Sequence, residues 1–388
     1  MVENFRRFVI KMKICLVNPF GVWEGTGIRL SNIGRVLYEK GHEVTLLSTG
    51  YSGEENVDVP FESVVYRFPK VKNKRVSCVL SSFPKLARLL KQDFEIIHSI
   101  KAIPYATLPS FIAARLRCKK IVLDWDDWEG KEGLGRYMPF PLNEIHTLFE
   151  RRIPYRVDGV IVGTNFLENY LRKTGFKKPI GYLPNGINLK EFEKVRKIKL
   201  PQNSVVIVGN LSGISDLPYV LRSVAIALRK IDLNLLVIGD GNRRKEFEEL
   251  AKSLGIEKNV KFLGWVKEEK KKRILRSSQI ALMPMVDNIQ NRSRSPMKLT
   301  EYMALGCAII ANNLENVKAI LDDTGLLIGQ TERELADAII YLLNNDKLRK
   351  TLKKKAKKRA KLFDWKVLVE KIEPFYYSVL SGLSLIHI

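Results

Sequence analysis

The chain has 388 residues, of which 45% are hydrophobic and 28% charged, and its formal net charge is +24. This composition excludes a disordered chain, and the length favours about two globular domains over one core. Because there is no apolar run of ~20 residues and no recognisable secretory signal, we expect a cytoplasmic protein rather than a membrane-spanning or exported one.

Short β-rich runs alternate with longer amphipathic stretches, which is the pattern of a parallel α/β fold. Residues 13–18 predict a first strand, which is followed by a glycine-rich turn at 21–27 and a helix at 28–40. The later elements of this first series are strands at 44–48, 94–98, 120–124, 159–162 and 179–183, with helices at 107–116, 143–152 and 166–174.

A second series begins after the turn Pro184-Asn185-Gly186. Its strands are predicted at 204–209, 234–238, 260–263, 280–283, 307–311 and 325–328, and its helices at 217–230, 246–254, 268–278, 298–305, 331–344 and 346–361. Residues 1–12 and the last six residues are expected to lie outside the fold.

The run Ser295-Pro-Met-Lys-Leu-Thr-Glu301-Tyr-Met-Ala-Leu-Gly306 is the most informative segment. Pro296 suits the start of a helix, where no amide hydrogen is needed, and the amides that follow can face an anion. Arg292, Arg294 and Lys298 add positive charge, so this helix end is suited to a diphosphate. Glu301 could accept hydrogen bonds from a vicinal diol such as a ribose; the alternative is a capped helix with a solvated glutamate.

Two glycine turns are weaker signals. The first, with Gly25 and Gly27, lies between a strand and a helix, where it could bind an anion or simply form a tight turn. Its spacing does not match the dinucleotide-binding fingerprint. The second, Gly239-Asp240-Gly241, follows a strand and is equally compatible with a turn that starts a helix.

Clustered carboxylates end a strand of the first series in the segment Asp124-Trp-Asp-Asp-Trp-Glu129. They could act as acid or base, hold sugar hydroxyls beside Trp125 or Trp128, or form a structural turn. A metal site is the weakest alternative because the carboxylates are adjacent in the chain. The four cysteines and four histidines show no metal-ligand spacing either.

The ordered motifs resemble the large family-4 (group 1) class of retaining glycosyltransferases with the GT-B fold, over most of residues 13–375. The matching segments are NPFGVWEGTGIRLSNIGRVLYEKGHEV, LPNGINLKEF, VIGDGNRRKEFEELAKSLGIEKNVKFLGWV and SPMKLTEYMALGCAIIANN. The resemblance implies two Rossmann-like domains whose parallel sheets face each other across a cleft. These would be an acceptor-binding domain at 12–184, a nucleotide-sugar-binding domain at 185–365, and a helix at 366–382 that packs back on the first domain.

The resemblance also assigns roles to residues. The implied catalytic residues are Asp126, Lys298 and Glu301. The implied donor-binding residues are Gly209, Asn210, Gly239, Gly241, Trp265, Val266, Arg292, Ser293, Arg294, Ser295, Pro296, Met297 and Leu299. The implied acceptor-binding residues are Gly25, Thr26, Gly27, Arg29, Asp127 and Trp128. The sequence departs from the family pattern at Ser293, where many relatives carry a second glutamate, at Asp126, where many carry histidine, and in the loop 209–216, which lacks the usual basic residues.

The implied activity is that of a hexosyltransferase-like enzyme that moves a sugar from a nucleotide-diphosphate-sugar to a hydroxyl, with retention of anomeric configuration. The acceptor would be a sugar or a lipid-linked molecule in polysaccharide, glycolipid or other glycoconjugate synthesis. No cofactor or metal and no nucleic-acid partner is expected. Basic segments at 6–8, 70–75 and 81–91 suggest peripheral contact with an anionic membrane. The alternatives are a non-catalytic scaffold and a nucleotide-sugar epimerase or phosphorylase on the same fold.

Overall fold

A computed structural model describes residues 11–51, 56–68, 71, 73–212 and 216–382. The basic segment 6–8 and the last six residues lie outside the described residues. The chain divides into two compact units, one comprising Met1–Pro184 with Leu368–Ile388 and the other Asn185–Val367.

The first unit contains a parallel sheet of seven strands. They are β1 (Lys13–Val17), β2 (Glu43–Gly50), β3 (Glu62–Arg67), β4 (Ile96–Ile100), β5 (Lys120–Trp125), β6 (Gly159–Val162) and β7 (Ile180–Tyr182). Their order in the sheet is β3-β2-β1-β4-β5-β6-β7, and every pairing is parallel. The central strands β1, β4, β5 and β6 are almost entirely buried, as expected for a sheet with helices on both faces.

Within the described part of the first unit, five α-helices connect these strands. They are α1 (Gly25–Glu39), α2 (Lys74–Lys91), α3 (Pro104–Leu116), α4 (Leu142–Arg152) and α5 (Asn165–Lys173). Helix α1 leads from β1 outward to β2, whereas α2 to α5 lead in the opposite direction along the sheet. Because such crossovers are right-handed, α2, α3, α4 and α5 form one layer on the face opposite α1.

The first unit departs from expectation at its start. Helix α1 begins at Gly25 rather than at residue 28, so Gly25, Thr26 and Gly27 form its first turn. A side chain at Gly27 would lie 2.4 Å from the carbonyl oxygen of Gly21, which is why glycine is needed there. Met12 is completely buried, which corrects the expectation that residues up to 12 lie outside the fold.

The second unit contains a parallel sheet of six strands. They are β8 (Ser204–Val208), β9 (Asn234–Ile238), β10 (Val260–Phe262), β11 (Ile280–Met283), β12 (Ile309–Asn312) and β13 (Leu326–Ile328). Their order is β10-β9-β8-β11-β12-β13, with every pairing parallel. The predicted strands of this series agree with these six to within two residues.

Nine helices among the described residues accompany this sheet. They are α6 (Lys190–Glu193), α7 (Leu217–Leu228), α8 (Arg244–Ser253), α9 (Glu268–Ser277), α10 (Ile289–Ser293), α11 (Met297–Ala304), α12 (Glu315–Leu321), α13 (Glu332–Asn344) and α14 (Asp346–Arg359). The last helix, α15 (Trp365–Ser381), belongs to the first unit from Leu368 onward. There Glu373 pairs with His42 at 3.0 Å, and the Tyr376 hydroxyl lies 2.7 Å from His98 Nδ1.

The second sheet separates two hydrophobic cores. Val205 and Ile207 of β8 belong to one core, whereas Val206 between them belongs to the other. The same alternation recurs in β9 and β11, because successive side chains of a strand point to opposite faces. Each half of the chain is therefore a doubly wound α/β unit, which confirms the predicted fold class. No helix among the described residues has both the length and the apolar character needed to cross a bilayer.

Candidate active site

The strand order of the second unit marks a topological switch point. From β8 the chain proceeds outward to β9 and β10 and then returns to β11 on the other side of β8. In open α/β sheets, ligands bind outside the carboxyl ends of the strands at this reversal. Gly209 and Asn210 follow the carboxyl end of β8 at this reversal. On the other side, β11 is followed by α10 and then by α11.

Close packing of the loops after β8 and β9 explains the second glycine turn. Gly239 has φ +131°, and a Cβ atom there would lie 1.8 Å from the Gly209 carbonyl oxygen. Gly241 lies against Leu211 in the same way. Both glycines are required by the local backbone, so they shape the edge of the sheet without themselves indicating a ligand.

The start of α11 is attached to the end of β8 by Lys298. Its ammonium group is buried and donates a hydrogen bond to the Val208 carbonyl oxygen at 2.9 Å. Burial, together with the nearby Arg294 cation, lowers the pKa of Lys298 to about 8. Pro296 is the N-cap residue, and Met297 and Leu299 lie in the first turn. Lysine, the helix dipole and the early amides thus converge at the switch point.

Ser295, just before this helix, is held in place by the turn after the first unit. Its hydroxyl oxygen accepts a hydrogen bond from the Asn185 amide at 2.9 Å, and its carbonyl oxygen accepts one from Asn185 Nδ2 at 2.7 Å. In the sequence, Asn185 is recognisable only as a turn residue. The structure shows that Asn185 fixes the residue that leads into α11.

Glu301 lies one turn inside α11, where it faces a lysine of α9. Its carboxylate pairs with Lys271 at 3.1 Å, and Lys271 also pairs with Glu268 at 2.8 Å. Burial lowers the pKa of Lys271, but the two glutamates outweigh burial, and the net shift is upward. The sequence does not single out Lys271, because it lies in the run EEKKKR with two other lysines.

Two of the basic residues before α11 have different surroundings. Arg292 forms a two-pronged ion pair with Asp287, at 2.5 and 2.6 Å, and is half exposed. Arg294 instead carries a buried Nε atom without a hydrogen-bond partner among the described residues. Burial raises the pKa of nearby Asp216, and Arg294 partly opposes this shift. Of the two, Arg294 is therefore the better candidate for an anionic ligand.

Ser293 and Trp265 have opposite surroundings. The Ser293 hydroxyl is buried and donates to the Gln290 carbonyl oxygen at 3.1 Å, so it is not presented to a sugar. The Trp265 side chain is 78% exposed, whereas Val266 packs against the core. Trp265 and Val266 follow Gly264, whose carbonyl oxygen accepts a hydrogen bond from the Gly239 amide.

The switch point of the first sheet lies between β1 and β4. Beyond β1, the Asn18 side chain organises the glycine turn: its Nδ2 donates to the Phe20 carbonyl oxygen, and its Oδ1 accepts from the Thr26 hydroxyl. The Lys85 ammonium donates to the Asn18 carbonyl oxygen at 2.7 Å and to two hydroxyl oxygens. Burial lowers the pKa of Lys85 to about 7.

Arg29 is an interior residue, which corrects its assignment to the acceptor site. Its guanidinium is buried and bonds both carboxylate oxygens of Asp124, at 2.7 and 3.0 Å, and the carbonyl oxygens of Leu183 and Pro184. Burial would raise the pKa of Asp124, but Arg29 and His98 lower it to about 2. The sequence could not reveal this pairing because the two residues are 95 positions apart.

Lys101, directly after β4, is the residue of this edge that sequence reasoning missed. Its ammonium nitrogen lies 3.1 Å from Asp126, 2.7 Å from Asp127 and 2.6 Å from Glu129. Lys101 also has φ +78°, which is unusual for a residue with a side chain. Its place at the carboxyl end of the run Ile-Ile-His-Ser-Ile is the signal that could have identified it.

The three carboxylates around Lys101 determine the electrostatics of this edge. Burial raises the pKa of Asp126 to about 7, although Lys101 opposes the shift, and burial also raises the pKa of Glu129. One oxygen from each of Asp126, Asp127 and Glu129 lies within 4.8 Å of the others, as in a cation site. The Lys101 ammonium lies within 3.1 Å of all three and supplies the positive charge there.

Trp128 is packed inside the unit, which corrects its expected stacking on a sugar. Its ring lies 5.5 Å from that of Trp125 and 5.0 Å from that of Tyr170. Glu150 supports this segment by accepting hydrogen bonds from Trp125 Nε1 and from the amides of Glu129 and Gly130. Asp126 and Asp127 remain as the acceptor-site candidates on this edge.

Two family models match the chain in succession. The family described as Glycosyltransferase Family 4 matches residues 23–191, and the one described as Glycosyl transferases group 1 matches residues 189–359. The chain is 23% identical to N-acetyl-alpha-D-glucosaminyl L-malate synthase of Bacillus anthracis, covering 92% of this chain and 94% of that protein. It is also 23% identical to phosphatidyl-myo-inositol mannosyltransferase of Mycolicibacterium smegmatis, covering 96% and 95%.

Solved structures show the same architecture. Sucrose-phosphate synthase from Thermosynechococcus elongatus aligns with a TM-score of 0.74 at 18% identity, covering 95% of this chain and 99% of that chain. Anabaena Alr3699/HepE, solved in complex with UDP and glucose, aligns with a TM-score of 0.71 at 14% identity, covering 95% and 100%. The fold is therefore of the GT-B type, and the chain is a transferase that belongs to the family 4 (group 1) glycosyltransferases.

Proposed function

We propose that this enzyme transfers a sugar from a nucleotide-diphosphate-sugar to a hydroxyl group with retention of anomeric configuration. The observation that carries the proposal is the convergence of the α11 N-terminus, the buried Lys298 and the partly buried carboxylate of Glu301 at the switch point of the second sheet. This arrangement combines an anion-binding helix end with an acceptor for a diol.

In this proposal the diphosphate binds to the first amides of α11 and to Lys298 and Arg294. Glu301 accepts hydrogen bonds from the ribose hydroxyls, and the backbone near Trp265 and Val266 meets the base. A complex of UDP with the similar Anabaena protein supports a nucleotide donor. The cations stabilise the charge that develops on the leaving diphosphate.

The transfer step breaks the bond between the anomeric carbon and the diphosphate oxygen and forms a bond from that carbon to the acceptor oxygen. The acceptor proton passes to the leaving diphosphate, which departs from the face that the acceptor attacks. Asp126 and Asp127 hold and orient the acceptor hydroxyls, and Lys101 positions these carboxylates. No resident metal or other cofactor takes part. We place the reaction in the synthesis of a polysaccharide, glycolipid or other glycoconjugate.

A panel assay of nucleoside diphosphate release tests the proposal. UDP-, GDP- and ADP-sugars are incubated with the enzyme and a set of sugar and lipid-linked acceptors, and release and product anomericity are measured. We expect one donor to be consumed with retention. An inverted product would refute the retaining mechanism. Nucleotide binding without turnover would support the scaffold alternative, and interconversion of donor sugars without transfer would support an epimerase.

The acceptor is proposed to be lipid-linked, with the enzyme in the cytoplasm on the inner face of the membrane. The family 4 relative named phosphatidyl-myo-inositol mannosyltransferase supports a lipid acceptor by analogy. The net charge of +24 favours an anionic surface. A water-soluble sugar that serves as acceptor equally well in the absence of lipid would contradict this part of the proposal.

A further inference from the structure

The outer surface of the first unit carries an unusual number of exposed apolar side chains. On α2 they are Val76, Val79, Phe83 and Leu90, on α3 Leu108, Ile112 and Leu116, and on or just before α4 Phe140, Leu142, Ile145 and Leu148. We call these eleven side chains the apolar helix face. Phe83 is 66% exposed, Leu116 70% and Phe140 81%.

The spacing of these residues distinguishes the apolar helix face from scattered surface hydrophobics. Residues 76, 79, 83 and 90 lie within about 60° of one another around a helix of 3.6 residues per turn. Residues 108, 112 and 116 form a second strip, and 142, 145 and 148 a third. Strips of this kind normally face a core, but here they face away from it.

The three strips belong to one continuous layer. Helices α2 and α3 pack along each other, and the Tyr105 ring of α3 lies 5.8 Å from the His146 ring of α4. The crossover rule places all three on the same face of the sheet. Large contiguous apolar patches mark interaction sites on soluble proteins.

The charge around the strips indicates what covers them. Arg75 and Lys91 flank the strip on α2, and Arg152 lies at the end of the strip on α4. Their neighbours Lys74, Arg88 and Arg151 are each paired with a glutamate, whereas none of these three has a carboxylate partner within the part of the chain that the structure describes. Glu144 on α4 is the acidic exception, and it pairs with Lys131 at 3.1 Å. Apolar side chains rimmed by basic ones match an anionic bilayer surface, in which they meet the acyl chains and the phosphates respectively.

We propose that the apolar helix face docks the enzyme on an anionic lipid bilayer by inserting the side chains of α2, α3 and the segment before α4 into the interface. The proposal rests on the proposed function in one respect, since docking would bring the first unit to a lipid-linked acceptor. The occupant is lipid, and a second copy of the chain is the competing outcome.

Vesicle co-sedimentation tests docking with the full chain. Vesicles contain phosphatidylcholine alone or with 40% phosphatidylglycerol. We expect binding to the mixed vesicles that is at least tenfold weaker with Phe83→Asp, Leu116→Asp or Phe140→Asp. Tyr341→Asp and Leu362→Asp are matched controls, because these side chains are similarly exposed in the second unit, and they should bind like wild type.

Charge variants separate insertion from simple attraction. Arg75→Gln, Lys91→Gln and Arg152→Gln together should weaken binding about 100-fold, because each basic residue near an anionic surface contributes roughly fivefold. Wild type should retain part of its binding in 0.5 M NaCl, because apolar insertion is not screened by salt. Complete loss in salt, or equal binding by the three aspartate variants, would overturn insertion.

Two further measurements keep the outcomes distinct. Light scattering that shows a dimer in wild type and a monomer in Phe83→Asp would assign the face to a second copy and overturn the proposal. Thermal shift by UDP, measured on the same samples, reports the donor site and should be unchanged by the face variants. A protein that binds UDP but no vesicles refutes docking alone, whereas one that binds vesicles but no nucleotide refutes the proposed donor site alone.

Discussion

The carboxyl edges of the two sheets share a topology but differ in charge. At the edge of the first sheet, three carboxylates surround the single ammonium of Lys101. At the edge of the second, Lys298, Arg294 and a helix N-terminus lie near two carboxylates, those of Asp216 and of Glu301, and Glu301 is itself paired with Lys271. We therefore propose that the same fold supports hydroxyl binding on one sheet and phosphate binding on the other, so that the side chains and not the fold determine the ligand.

The largest effect is expected from Lys298→Met. The variant removes the buried cation from the α11 N-terminus, and we expect turnover to fall about 100- to 1000-fold, as when one preorganised electrostatic group is lost. Lys353→Met is the matched control, because Lys353 is also a lysine of the second unit that donates to a backbone carbonyl, that of Ser278, at 2.7 Å. Equal activity of the two variants in the nucleoside diphosphate release assay would remove Lys298 from the site.

Glu301→Gln should have the next largest effect. A hydrogen bond to a charged group is worth about 1.5–3 kcal/mol, so the affinity for a nucleoside diphosphate should drop roughly 10- to 150-fold. Isothermal titration calorimetry measures this loss. Glu268→Gln is the control, because Glu268 pairs with the same Lys271 but is exposed, and its affinity should stay within about twofold of wild type. A parallel loss in both variants would mean that the ion pair with Lys271, and not contact with ribose, is responsible.

Asp126→Asn tests the acidic edge through pH. Because burial raises the pKa of Asp126 to about 7, against the opposition of Lys101, wild-type transfer should decline as pH falls below about 7, where the carboxylate is protonated. In the variant this decline should disappear, and activity at pH 8 should be about tenfold lower. A variant with an unchanged pH profile would place the titrating group elsewhere.

The pH dependence of Tm is a second measurement that distinguishes wild type from Asp126→Asn. A folded-state pKa above that of the unfolded chain means that the folded state holds the extra proton between about pH 4 and 7. The contribution of this proton is lost as pH rises from about 4 to about 7, so this group should make wild-type Tm fall between pH 5 and 7 and level off above pH 7. The asparagine variant should show a smaller fall. The remaining slope of Tm against pH depends on the other charged groups that face Asp126, which are Lys101, Asp124, Asp127 and Glu129.

The smallest effect is expected from Arg292→Gln. Its guanidinium is half exposed and already paired with Asp287, so turnover should change less than about threefold. Arg294→Gln, measured beside it, should lower turnover about tenfold or more, because Arg294 is partly buried next to Lys298. The reverse order would exchange the roles of the two arginines.

Sequence reasoning predicted the elements whose pattern is local. The strands at 204–208 and 280–283 were recognisable because strands buried on both faces are continuous apolar runs. Helix α2 was not predicted. Its apolar strip faces outward and it contains Pro84, so its pattern does not resemble that of an ordinary core helix. The start of α1 was misplaced because its glycines read as a turn.

The candidate sites show the same division. Pro296, Lys298 and Glu301 were predicted as site residues from their spacing, and the structure places all three at the start of α11. Arg29 and Trp128 were misassigned because their partners, Asp124 and Tyr170, come from distant segments that only folding brings together. Lys101 was not predicted because its partners, Asp126 and Glu129, lie in the turn after the next strand, β5, and only folding brings them to Lys101.

Hydrogen–deuterium exchange with and without UDP tests the central claim most directly, namely that the second unit holds the nucleoside diphosphate at the start of α11. The account predicts protection of the amides in 297–302, and in the loop after β8, with no protection around Lys101 and Asp126. The protection should be absent in Lys298→Met and retained in Lys353→Met. Protection confined to the edge of the first sheet, or equal protection in Lys298→Met and wild type, would contradict it.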